Sequence, residues 1–131
     1  MSGITQLDLL LSSMRPILLP AEFVFCCVKG ELVDYLSLRS VATFIESEGL
    51  TLVLEKSQAL QAGLAFNGVF RQITLTVHSS LEAVGLTAAV ATQLASLGIS
   101  ANVIAAYYHD HIFVPAARAE EALSALQTFH R

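Results

Sequence analysis

The chain is short of charge. Only 14% of its 131 residues are Asp, Glu, Lys or Arg, against about 25% in an average soluble domain. Its seven basic residues are scattered, its net charge is −4 and its isoelectric point is near 5.4. Nucleic acids and anionic membranes require clustered lysine and arginine, so neither is expected as a partner. Cysteine is scarce as well: Cys26 and Cys27 are the only two, adjacent in an apolar run. Alternate positions of a strand face opposite ways, and a disulfide between neighbours would be strained. Buried reduced thiols are the expectation, which fits a cytoplasmic protein. The amino terminus lacks the basic segment that precedes the apolar block of a signal peptide.

Catalytic motifs are missing too. There is no nucleophile elbow, phosphate-binding glycine loop, HExxH or CxxC. The carboxylates fall mostly in expected turns, helix ends and solvent faces, so the chain reads as a non-enzyme that needs no cofactor. His109-Asp110-His111 is the one cluster with metal-ligand chemistry, but no further Cys, Glu or His stands at a supporting spacing, and a polar hairpin turn without metal is expected there. Residues 83–109 contain no Asp, Glu, Lys or Arg. Gly98, Ser100 and Asn102 nevertheless interrupt the stretch, and its polar residues form a coherent arc, which argues against a membrane span.

What is present is apolar sequence, 54% of the chain. On so short a chain this implies one compact unit, or two very small ones sharing a core, with burial between modules or subunits. Residues 70–78 alternate, with Ile73, Leu75 and Val77 apolar against Gln72, Thr74, Thr76 and His78, the signature of a strand with one buried face. Ser79 and Glu82 then stand at capping-box spacing, predicting a helix over 83–97 that stops at Gly98. Its apolar arc, from Val84 and Leu86 to Leu94 and Leu97, is wider than one sheet requires and predicts a second packing partner. A hairpin over 101–114 follows, turning at His109-Asp110-His111, and a last helix after Pro115. The order is β-α-β-β-α.

The first half is less regular. Ile4, Leu7, Leu10, Leu11 and Met14 predict a short helix, residues 16–20 an extended connection, and residues 23–28 a strand covered on both faces. Residues 29–40 can hold a helical turn at most; a hairpin around Ser47-Glu48-Gly49 and a short helix over 55–62 follow. Residues 51–60 echo residues 111–120, strand into helix, at a shift of 60. Two cycles of one motif are implied. No fourth strand follows Phe129, so we expect strands to be shared between the halves.

Val84-Gly85-Leu86 opening a helix, Leu97-Gly98-Ile99 ending it, and Asn102-Val103-Ile104 entering a hairpin together resemble the ACT domain. The stretches 81–88 and 107–115 resemble, more closely, an uncharacterised bacterial family of tandem ACT-like proteins. The resemblance is strongest from Phe70 onward and fainter through 22–25 and 49–54. It implies an α+β protein of two ferredoxin-like βαββαβ modules, residues 1–68 and 69–131, with antiparallel sheets, helices on one face and a degenerate first module. It also implies an amino acid or similar metabolite bound where a helix begins, since exposed amides and the helix dipole suit an anion there. By the resemblance Ser79, Ser80, Val84, Gly85 and Leu86 would line one side of that pocket, and Asn102, Val103 and Ile104 the other. Asn102 carries an amide able both to donate and to accept. The Asp-x-Pro-Gly usual in the corresponding ACT loop is replaced here by residues 81–85. The expected function is therefore non-catalytic sensing by a homodimer or larger assembly that acts through a separate partner. The alternative is a structural or protein-interaction module whose pocket Leu81, Val84 and Leu86 fill.

Overall fold

The structure, a computed structural model, describes residues 3–77 and 85–129. The chain runs α1 (Gly3–Ser13), β1 (Pro16–Val28), a 3-10 helix (Leu32–Leu38), β2 (Ala42–Glu46), β3 (Gly49–Glu55), α2 (Lys56–Gln61), β4 (Phe70–Leu75), α3 (Leu86–Ala95), β5 (Asn102–Ala105), β6 (Asp110–Pro115), a short 3-10 turn and α4 (Ala119–Gln127). It is an α+β fold with an antiparallel sheet in the order β2-β3-β1-β4-β6-β5. Two compact units divide it: residues 1–20 with 71–131, and residues 21–70.

In the larger unit, the first five residues of β1 supply the strand beside β4 that is not found after Phe129. Residues 16–20 are thus part of a thirteen-residue strand and not an extended connection. Two polar clamps hold them. The Arg71 guanidinium donates to the Leu19 carbonyl from Nε and Nη2 at 3.0 and 2.8 Å, and Thr76 donates to the Arg15 carbonyl from its amide and its hydroxyl. Met14 is fully buried beneath this junction, with Leu7, Leu11 and Leu18 packed on the same core.

That core is built by alternation meeting helical periodicity. Ile73 and Leu75 of β4 and Ile112 and Val114 of β6 face Leu86, Val90 and Leu94, one stripe of α3 at four-residue spacing. Ala119, Ala122, Ala125 and Leu126 bring in α4. The second packing partner of α3 is therefore helical: α4 and α1 lie against it, and Gln93 Nε2 donates to the Ala125 carbonyl and to Thr128 Oγ1, each at 3.3 Å. The buried stripe is narrower than the apolar arc, since Ala88, Ala95 and Leu97 are exposed. Gly98, at φ +73°, closes the helix, and the amide of buried Ile99 reaches back to the Leu94 carbonyl at 3.0 Å.

The smaller unit pairs the rest of β1 with β3, opposing Val24 to Leu54, Cys26 to Leu52 and Val28 to Leu50. All six face one core, with Ala59 of α2. Cys27 points the other way and is exposed, so only Cys26 is a buried thiol; both are free. Here the crossover between β1 and β2 is the seven-residue 3-10 helix, in which no residue is buried. This is the degenerate counterpart of α3.

Gly49 is the tightest glycine position in this unit. At φ +153°, a Cβ would come within 2.7 Å of Cys27 Sγ and 2.9 Å of the Val28 carbonyl oxygen. Gly49→Ala is expected to destabilise the protein by about 1–3 kcal/mol in urea denaturation, through backbone strain and steric overlap. Gly63→Ala, at φ +70° with nothing within 4 Å, should cost only about 1 kcal/mol.

Candidate functional site

Of the pocket residues expected at the start of the long helix, Ser79, Ser80 and Val84 lie outside the described residues, as do His78 and the Ser79/Glu82 capping box. The helix itself opens at Leu86, three residues after the expected start, with Gly85 as its N-cap at φ +106°. Gly85 is also a close-packing position: a Cβ there would stand 3.1 Å from Leu7 Cδ2. Leu86 turns its side chain into the core.

On the other side, Asn102 is exposed at the first position of β5, and its Nδ2 donates to the carbonyl of its strand partner Phe113 at 3.2 Å. Val103 packs on the core, so by strand alternation Asn102 and Ile104 share the opposite face. The five described residues of that set fall on two elements. Gly85 and Leu86 begin a helix roughly 15 Å long, and Asn102 comes seven residues after its last residue, Ala95.

A hollow in the smaller unit was not anticipated. A cleft of about 330 Å³ lies between residues 28–32, the turn from β1 into the 3-10 helix, and residues 45–50, the β2–β3 hairpin. Hydrogen bonds fix both walls. Lys29 Nζ donates to the Glu48 carbonyl at 3.1 Å, and the Tyr35 hydroxyl donates to the Lys29 carbonyl. The Asp34 amide donates to the Glu31 carbonyl at 3.0 Å, while the Asp34 carboxylate accepts from the Glu31 amide at 3.3 Å. Gly30, at φ +109°, makes the bend. Leu32, Ile45 and Leu50 provide apolar lining; Lys29, Glu31, Glu46 and Glu48 provide charge of both signs. Two glycine turns converging at one end of a hairpin were the available sequence signal, obscured because residues 29–40 read as a helical turn at most.

The hairpin of the larger unit also differs from expectation. Pairing Val103 with Ile112 and Ile104 with His111 moves the turn to Tyr107-Tyr108, closed by the Ala106 amide on the His109 carbonyl at 3.0 Å. Asp110 and His111 become strand residues. His111 Nδ1 lies 3.1 Å from Gln72 Nε2 and 3.0 Å from Thr74 Oγ1, and Gln72 Nε2 donates to Thr74 Oγ1 at 3.0 Å. No group of three side chains able to hold a metal occurs among the described residues. Burial holds the imidazole below the ordinary histidine value of 6.5, with His109 adding to the effect and Asp110 opposing it.

A histidine that folds preferentially neutral is bound by more protons in the unfolded chain. Its contribution to stability is complete above pH 6.5 and is lost as pH falls from there toward the lower folded value. The stability difference between wild type and His111→Gln, from urea denaturation at several pH values, should therefore shrink below pH 6.5.

Comparison with known proteins places this architecture. ACT-domain models match residues 2–71 and 69–128. A Vibrio cholerae protein of unknown function, described as a possible transport protein, is 62% identical; the match covers 99% of this chain and 100% of that one, with a TM-score of 0.91. The ligand-free regulatory subunit of aspartate kinase from Thermus thermophilus shares the fold at 12% identity, over 88% of this chain and 96% of that one, with a TM-score of 0.67. E. coli aspartokinase III, in complex with aspartate and ADP, does so at 13% identity over 87% of this chain and 32% of that one, with a TM-score of 0.59. No curated protein matches. No helix among the described residues is long and apolar enough to cross a membrane. ACT domains are regulatory, non-catalytic modules. With two of them in tandem, the chain belongs to the ACT-domain family.

Proposed function

We propose that this protein is a non-catalytic cytoplasmic sensor of a small amino acid or similar metabolite, working as a homo-oligomer and acting through a separate partner. The observation that carries this reading is the cleft of about 330 Å³ between residues 28–32 and 45–50. It is at the lower end of the range for small-molecule sites. Lys29 offers a cation to a carboxylate, Glu46 and Glu48 offer anions to an ammonium, and Leu32 and Ile45 offer apolar contact. That combination suits a zwitterion with a small apolar side chain. The start of α3, with Ser79, Ser80, Val84, Gly85 and Leu86, and the start of β5, with Asn102, Val103 and Ile104, are the proposed counterparts in the second module. The modules themselves are read as residues 1–68 and 69–131.

Assembly is supported by the edge strand β2, on which Phe44 and Ile45 are 69% and 82% exposed. A free strand edge with large apolar side chains calls for cover. Ligand would act by favouring one of two packing arrangements, through its differential affinity for them.

A thermal-shift screen of the twenty amino acids tests the reading, because a ligand that binds only the folded state stabilises it by about 2.7 kcal/mol at a hundredfold excess over Kd. At least one amino acid should raise Tm. Leu32→Trp, a substitution on the cleft wall, should cancel that shift while leaving the unliganded Tm nearly unchanged. Loss of the shift in Asn102→Ala instead would move the site to the second module. No response to any amino acid would contradict the sensor and support the interaction module.

A further inference from the structure

We infer that Gln72, Thr74 and His111 form a proton-operated switch, in which the Gln72 carboxamide turns over when His111 gains a proton. The three polar atoms stand in a triangle with sides of 3.0, 3.0 and 3.1 Å. So compact a set admits only matched donors and acceptors.

With the amide nitrogen inward, Gln72 donates to Thr74 Oγ1 and the hydroxyl donates to His111 Nδ1. Nδ1 must then be an unprotonated acceptor, and the ring proton resides on Nε2. Protonation makes Nδ1 a donor, which cannot face the donors of the amide nitrogen. Rotating the carboxamide by half a turn brings Oε1 inward, and the chain then runs in reverse, from Nδ1–H to the Thr74 hydroxyl to Oε1. Each state satisfies the triangle; a mixture of the two does not.

The outer end of the amide leaves this rotation free. Gln72 is 7% exposed, yet its Oε1 is buried with no hydrogen-bond partner among the described residues. No third group anchors the present orientation, and the outward end of the amide is unpartnered in either state, so rotation breaks no bond there. The surroundings add little competing charge. His109, just before β6, and Asp110, its first residue, have opposite effects on the ring; β5 presents Ile104; β4 presents only uncharged Gln72 and Thr74. The helices belong to the other face, where Ile73, Leu75, Ile112 and Val114 point. The switch lies on the pairing of β4 with β6 and gives this sheet a response to pH that owes nothing to ligand binding.

Nuclear magnetic resonance of the intact protein tests it. Neutral His111 should be the Nε2–H tautomer, and the Gln72 side-chain amide resonances should move with the same midpoint as the imidazole. Gln72→Leu removes the acceptor for the charged ring and should lower the His111 midpoint by about one pH unit. Gln72→Glu should raise it by about one unit or more. A neutral Nδ1–H tautomer, or Gln72 resonances indifferent to the titration, would overturn the inference on the wild-type protein alone.

Discussion

The grip of β4 on the amino-terminal segment is the constraint on which the larger unit depends. A sheet built only from residues 71–131 would have three strands and an open flank beside β4. Residues 16–20 close that flank, and the Arg15 and Leu19 carbonyls are each held by two donors, from Thr76 and Arg71. The clamps are polar, but Met14, Leu18, Leu11 and Leu7 deliver the apolar area, with about 1.5–3 kcal/mol for each large side chain that is fully buried. Chain order and spatial order therefore diverge: Leu7, Leu11, Met14 and Leu18 belong to the core formed by β4, β6, α3 and α4.

Local periodicity made most of the fold legible. The alternation through Ile73 and Leu75 and the stop at Gly98 depend on neighbours in sequence and stand as expected, whereas the buried stripe of Leu86, Val90 and Leu94 is narrower than the expected apolar arc. What escaped depended on partners distant in sequence. Pro16 and Pro20 suggested a connection, yet a proline is tolerated where its missing N–H is not required by the ladder, and β1 runs through both. The hairpin turn followed the polar residues His109 to His111 in sequence, whereas in the fold it follows the register that puts Val103 opposite Ile112. Cys27 is exposed for a similar reason: its neighbour Cys26 occupies the core face, and the pleat leaves no choice.

The candidate sites divide along the same line. That a helix follows β4 could be named from the chain by local periodicity, though it opens at Leu86 and not at residue 83. The cleft of the smaller unit could not, since it arises from two turns, at Gly30 and Gly49, that are close only after β1 and β3 pair. A crossover of seven residues with no buried side chain leaves that end of the strands less covered than a full helix would. Degeneracy of the first module and the presence of the hollow are thus one structural fact. The polar triangle of Gln72, Thr74 and His111 similarly needed the β4–β6 neighbourhood before three unremarkable residues became a connected set.

Deleting residues 1–20 examines the central claim most directly, with cooperative unfolding of the remaining chain followed by the amide signals of Ile73, Leu75, Ile112 and Val114. The account predicts that this core loses its protection from hydrogen exchange and regains it when a peptide of residues 1–20 is added back. A truncated chain whose β4 and β6 amides stay protected at the wild-type level would contradict it.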